Sequence, residues 1–120
     1  MSGTFDLVIS KGIPFYKTFR YEKIVDEIQS PHELFETKLY MQFRHTVDNP
    51  NVLFEATESD YLVISDPING EITVSIPKEV IDTFTFKHAV YDILVKRENT
   101  DPIKLVGGKV MVNKLVTRGM

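Results

Sequence analysis

No cysteine occurs in this chain of 120 residues. A disulfide framework, a thiolate metal site and a cysteine nucleophile are therefore excluded, and the composition fits a protein that folds in a reducing cytoplasm. Long apolar runs are missing too, since the apolar stretches fall far short of the roughly 20 residues of a membrane-spanning helix. The opening Met-Ser-Gly-Thr-Phe-Asp has no basic start followed by an apolar core, so we expect no signal peptide.

Glycine and proline are sparse, with six of each, and no low-complexity linker or internal repeat divides the chain. The residues present are sufficient for a core, because 42% are apolar and 11% are aromatic. A chain of this length and composition is expected to fold as a single domain spanning residues 1–120.

The net charge of −3 is small, but the charges are unevenly distributed along the chain. Residues 24–82 hold twelve acids and three bases, a net charge of −9, whereas the two ends together hold eleven bases and five acids, a net charge of +6. Folding could place these charges on separate surfaces, which would favour head-to-tail or charge-steered docking. It could equally average them over the whole surface.

Apolar and polar residues alternate along much of the chain, which is typical of half-buried β-strands. Turn residues such as Asn69-Gly70 separate these segments. One short helix is expected near residues 78–83, and residues 22–36 are expected to form a long connection with at most one helical turn. The pattern predicts an all-β fold, an antiparallel sandwich of about seven or eight strands. The predicted strands are 5–10, 15–21, 37–44, 52–56, 61–64, 72–76, 85–95 and 103–113.

The segments 89–95 and 103–118 form a closing hairpin with two notable features. Gly107-Gly108 interrupts the last strand, which predicts a bulge or a place where another backbone comes close. Tyr91 is expected to face inward, where its hydroxyl needs a partner, while Asp92 faces outward.

Signatures of catalysis and of cofactor binding are scarce. His32, His45 and His88 lack zinc-ligand spacing, and the sequence has neither a Gly-x-Ser-x-Gly elbow nor a phosphate-binding loop. The aromatic and basic residues between 16 and 23 make only a weak nucleic-acid surface in an acidic chain. We expect a non-enzymatic protein with no cofactor, metal, nucleic acid or membrane partner. One alternative is a small metal-dependent enzyme that binds a hard cation through Glu55, Glu58 and Asp60, which could equally form a solvated acidic loop.

The order of the motifs resembles a family of small structural proteins of tailed bacteriophages, similar to the immunoglobulin-like N-terminal domain of phage baseplate upper proteins. The sequence departs from that family at Ser30-Pro31-His32-Glu33-Leu34-Phe35, where family members often have a short Leu-Thr-Gly-Tyr turn. The matching segments are 15–21, 39–44, Asn69-Gly70-Glu71-Ile72, Tyr91-Asp92-Ile93, 105–112 and Val116-Thr117-Arg118.

The resemblance implies an immunoglobulin-like sandwich and a non-enzymatic structural virion protein, assembled in the host cytoplasm. Such a protein would dock onto neighbouring subunits in the tail, baseplate or fibre-attachment region. Its partners would be other virion proteins and further copies of itself in a symmetric assembly. Alternatives are capsid decoration and a host-surface module that binds glycan through Tyr40 and Tyr61.

The terminal segment is the candidate docking element. Sandwich edges can pair with a strand from a partner, and a short basic arm at the end of the chain suits that role. The candidate interaction residues are Lys114, Leu115, Val116, Thr117 and Arg118.

Overall fold

A computed structural model of the chain describes residues 3–25, 28–31 and 36–117. Strands make up 59% of it and helix 4%, in two sheets that pack as a sandwich with one short helix, so the predicted all-β sandwich is confirmed. The elements of the described residues are β1 (Gly3–Thr4), β2 (Leu7–Lys11), β3 (Phe15–Arg20), β4 (Glu22–Val25), β5 (Ile28–Pro31), β6 (Thr37–Arg44), β7 (Phe54–Thr57), β8 (Leu62–Asp66), β9 (Glu71–Ile76), α1 (Lys78–Ile81), β10 (His88–Arg97) and β11 (Ile103–Lys114).

The large sheet has the strand order β1-β11-β10-β6-β7, and β2 also pairs with β11. Its central strands β6, β10 and β11 are antiparallel, as the sequence predicts. In contrast, β1 and β2 run parallel to β11, with Gly3 opposite Val106 and Leu7 opposite Val110. The first strands of the chain therefore complete the sheet beside its last strand.

The small sheet has the order β3-β9-β8 and is antiparallel throughout. The alternation along β9 buries Ile72, Val74 and Ile76 completely, while the residues between them are half-buried. On β6 of the large sheet, Leu39 and Phe43 are also completely buried. These side chains belong to one hydrophobic cluster, so the core lies between the two sheets.

Phe43 occupies the centre of an aromatic cluster in this core. Its ring centroid lies 5.0 Å from that of Phe54, 6.2 Å from Tyr91 and 6.3 Å from both Phe84 and Phe86. The segment 84–86 supplies two of these rings from irregular backbone. The predicted strand 85–95 therefore begins later, at His88.

Two features of the chain's organisation differ from the prediction. The described residues form eleven strands, not seven or eight, because several short ones carry too few residues to show an alternating pattern. The predicted connection contains an antiparallel strand pair, in which Glu22 lies opposite Pro31 and Val25 opposite Ile28. In the segment Ser30–Phe35, which differs from the turn of the phage family, Ser30 and Pro31 belong to β5 and residues 32–35 lie outside the described residues.

The predicted short helix is present as α1, which ends at Ile81, two residues before the predicted limit. Ile81 is fully buried and anchors this single turn against the core. No helix among the described residues is long and apolar enough to cross a membrane.

Candidate interaction surfaces

The outward face of the large sheet is the first candidate surface. Along β6 the polar residues that alternate with the core are Lys38, Tyr40, Gln42 and Arg44. They lie opposite outward residues of β10, with Asp92 beside Gln42. Two of the three bases in the acidic middle segment, Lys38 and Arg44, thus join this face, which makes it more basic than the linear sequence suggests.

A groove of about 570 Å³ runs across this face, and we call it the basic groove. Gly107 lies opposite Asp92 in the register of β10 and β11, so the side chain that it lacks would point to the outward side. A Cβ atom at Gly107 would lie 2.7 Å from Cε of Lys104, so glycine lets this lysine lie across the sheet. The groove is lined by Gln42, Arg44, Val47, Val90, Tyr91, Asp92, Leu94, Lys104, Gly108 and Lys109.

Three cationic groups line the basic groove and differ in their partners. The Arg44 guanidinium is held in place, since it donates to Gln42 Oε1 at 2.8 Å and to the Asn49 carbonyl oxygen at 2.7 Å. Within the described chain, the ammonium groups of Lys104 and Lys109 have neither an ion pair nor a hydrogen bond. One preoriented guanidinium and two available ammonium groups suit the binding of carboxylate side chains from another protein.

Gly108 lies beneath the groove, where the N-terminal backbone crosses β11. The Phe5 amide donates to the Gly107 carbonyl oxygen at 3.0 Å, and the Lys109 amide donates to Asp6 Oδ1 at 2.9 Å. The buried Tyr91 hydroxyl donates to the Phe5 carbonyl oxygen at 2.5 Å. The close backbone approach predicted at Gly107-Gly108 and the inward position of Tyr91 are both confirmed, and Phe5 is the neighbour.

Stability is expected to fall in alkaline solution because of Tyr91. Burial raises the pKa of this phenol above its ordinary value of 10.0, and the neighbouring Asp6 carboxylate raises it further. The native state therefore retains a proton that the unfolded chain releases, so this contribution is complete below pH 10 and is lost as the pH rises beyond it. We expect a loss of about 1.4 kcal/mol for each pH unit in that range, measured by urea unfolding between about pH 8 and pH 12.

Tyr91→Phe is the matched control for this alkaline loss. The variant should lose about 1 kcal/mol at neutral pH because the hydrogen bond to Phe5 is gone. Its stability should then decline less steeply than that of the wild type above pH 10. Equal slopes for the two proteins would show that other groups cause the decline.

The structure places four of the five predicted interaction residues. Lys114 is the last residue of β11 and lies opposite Lys11, so it belongs to the sheet. Leu115 is half-buried, with its Cδ1 atom 3.5 Å from the position a Cβ would take on Gly12. Val116 is 97% exposed and Thr117 is exposed, whereas Arg118 lies outside the described residues. Among the described residues of this segment, Val116 and Thr117 lie beyond the sheet and are exposed.

A second groove, of about 600 Å³, opens beside this segment and was missed by sequence reasoning. Lys11 comes from β2, Lys87 from the segment before β10 and Lys114 from β11. We call this feature the lysine corner. Its lysines are far apart in the sequence, and only the parallel pairing of β2 with β11 unites two of them. The other lining residues are Thr85, Phe86, Val112 and Asn113.

The acidic residues considered as a metal site do not form one. Glu58 Oε1 accepts a hydrogen bond from the Leu39 amide at 2.9 Å, and Glu55 faces Gln42 across the strand pair. In the part of the chain that the structure describes, no group of three or more His, Asp or Glu side chains could hold a metal ion. His45 and His88 are exposed.

The two tyrosines considered for glycan binding differ in their surroundings. Tyr40 lies in the outward row of β6 and is 37% exposed. The Tyr61 ring is half-buried, lies 5.4 Å from the buried Phe54 ring and packs against the core. Tyr61 therefore presents less of its ring to a ligand than Tyr40 does.

No protein-family model matches the chain, and no curated protein shows significant similarity to it. The case for a function therefore depends on the surfaces of the molecule and on the order of motifs in the sequence.

Proposed function

We propose that this chain is a non-enzymatic structural protein of a tailed bacteriophage particle, assembled in the host cytoplasm. It docks onto neighbouring virion subunits in the tail, baseplate or fibre-attachment region through the basic groove and the terminal segment. The order of motifs from residue 15 to Arg118 supports the assignment to a virion. The basic groove supports docking as the activity.

The composition of the basic groove favours a protein partner. Protein interfaces combine apolar contacts with a polar, charged rim. Here Val90 and Leu94 are half-buried in the floor, while Val47 is 82% exposed beside it. The Asp92 carboxylate lies among the three cations and would repel a phosphate backbone. A partner loop that carries carboxylates and one donor for Asp92 fits this arrangement best.

The terminal segment offers a second type of contact. Val116 and Thr117 are β-branched residues, which favour extended backbone, and they follow β11 after Leu115. An extended segment with an exposed apolar side chain can add to the edge of a partner's sheet. The groove supplies charge recognition, whereas the segment supplies backbone pairing.

Reversing two charges in the groove is expected to abolish docking. In the phage that encodes this chain, the double variant K104E/K109E should reduce incorporation into particles at least about tenfold, because each available ammonium becomes a repelling carboxylate. Incorporation is measured by mass spectrometry of purified and stepwise disassembled particles. Lys38→Glu is the control, since it makes the same change on the same face outside the groove.

The particle fraction in which the protein is found also shows whether it belongs to the tail, the baseplate or the capsid. Co-purification with tail or baseplate components supports docking there, whereas release with the shell indicates capsid decoration. Removal of residues 116–120 leaves β11 intact and tests the terminal segment by itself. Unchanged incorporation of K104E/K109E would rule out the groove, and absence of the wild-type protein from particles would rule out the virion role.

A further inference from the structure

Two corners of the large sheet carry opposite charges that the proposed docking function does not use. The first is the lysine corner, where Lys11, Lys87 and Lys114 converge without an acidic side chain in the lining. The neighbouring Asp82 is already engaged, because its carboxylate accepts from the Gly12 amide at 2.9 Å and from Lys78 Nζ at 3.0 Å. Asp82 therefore offsets part of the Lys11 charge, whereas Lys87 and Lys114 have no acidic side chain in the lining of this corner.

The acidic corner lies at the end of β7 and comprises Glu55, Glu58 and Asp60. No lysine or arginine occurs between Arg44 and Lys78, so no base from this part of the chain neutralises it. Glu58 is partly committed to the Leu39 amide, whereas Glu55 and Asp60 are exposed. Glu55 accepts only a long hydrogen bond, from Gln42 Nε2 at 3.4 Å, so both carboxylates can still face a partner.

The topology sets the two corners at opposite edges of the same sheet. β7 is the outermost strand on one side, and β2 lies beyond β11 on the other. The corners also lie at opposite ends of the strands. Thr57 at the end of β7 pairs with Tyr40 of β6, and Tyr40 pairs with Leu94 of β10, which lies beside the start of β11. Lys114, in contrast, is the last residue of β11. A second copy translated along this diagonal would bring a negative corner against a positive one.

We propose that copies of this chain associate head to tail, with the acidic corner of one copy docked on the lysine corner of the next. Because the two contacting surfaces differ, the interface is heterologous and builds a ring or a chain of subunits. The basic groove takes no part in this contact. Self-association and docking to other virion proteins can therefore fail independently.

Complementation between two charge-reversed variants tests this arrangement. The lysine-corner variant K11E/K87E retains an intact acidic corner, and the acidic-corner variant E55K/D60K retains an intact lysine corner. Glu58 is left unchanged because it holds the Leu39 amide. The groove variant K104E/K109E is the matched control, since it reverses two lysines outside both corners. Circular dichroism checks that every variant is folded, and analytical ultracentrifugation gives the species present.

We expect the wild type and the groove variant to form species larger than dimers at high concentration and low salt. Raising the salt from about 0.05 M to about 0.5 M should weaken this association at least tenfold, because exposed charge pairs are screened. Each corner variant alone should be monomeric. Their mixture should associate again, and beyond the dimer, because the two reversed corners carry opposite charges just as the two unaltered corners do.

Three outcomes would overturn the proposal. The wild type could remain monomeric under these conditions, or the corner variants could associate as strongly as the wild type. The mixed variants could also stay monomeric. Binding of a short DNA duplex to the lysine corner of a monomeric wild type would instead identify a polyanion site.

Discussion

Replacing Gly108 by alanine is expected to lower the free energy of unfolding by about 3 kcal/mol. A Cβ atom at this position would lie 2.5 Å from the carbonyl oxygen of Phe5 and 2.8 Å from Asp6 Oδ1. The obstacle is mainly backbone, which cannot move aside as the end of a flexible side chain can. Relief of the clash would push β1 away from β11 and break the hydrogen bond from Tyr91 to Phe5.

Two other glycines of the same sheet provide controls for this experiment. Gly3→Ala should change stability little, because nothing lies within 4 Å of the added atom. Gly107→Ala should be intermediate, since the closest atoms belong to the movable end of Lys104. Urea unfolding of the three variants should therefore rank Gly108 as the most sensitive position. If Gly108→Ala proved as stable as Gly3→Ala, the close approach of Phe5 would be refuted.

Removal of the central aromatic ring is expected to have an even larger effect. Phe43→Ala should cost about 4 kcal/mol, because the truncation leaves a cavity in a core that relaxes only partly. Phe43 is completely buried and its ring contacts those of Phe54, Phe84, Phe86 and Tyr91. The ring therefore joins three strands of the large sheet to the segment before β10.

Phe43→Leu separates the loss of volume from the loss of ring contacts. It retains most of the apolar volume, so it should cost no more than about 1.5 kcal/mol. Tyr40→Leu on the outward side of the same strand should cost less still, because Tyr40 is partly exposed. Chemical unfolding gives all three values. A Phe43→Ala loss below about 1 kcal/mol would contradict the central position of this residue.

The elements predicted well from the sequence are those in which one face alone is buried. Thr37–Arg44 shows strict alternation, and its buried residues in the structure are those the pattern selects. The paired glycines at 107 and 108 also carried their signal in the sequence, because a strand interior seldom contains two of them. In both cases the pattern of neighbouring residues was enough to predict the local structure.

The features that could not be predicted depend on contacts between distant parts of the chain. Nothing in the residues of β2 specifies a parallel partner, and the lysine corner exists only because that partner is β11. Phe84 and Phe86 alternate like strand residues, but the aromatic cluster holds them in irregular backbone. The basic groove likewise requires Arg44 and Lys104 to meet across two strand pairings.

The pairing of β2 with β11 also constrains the order of events during biosynthesis. Leu7 and Ile9 are fully buried in the finished protein, and the Lys109 amide that Asp6 binds lies 103 positions further along the chain. Until β11 has been synthesised, β2 has no strand to pair with and its apolar side chains stay exposed to solvent. Pairings of such long range are slow to form and leave the nascent chain open to aggregation. The strands β1 and β2 therefore complete their folding only after translation of the C-terminal strand.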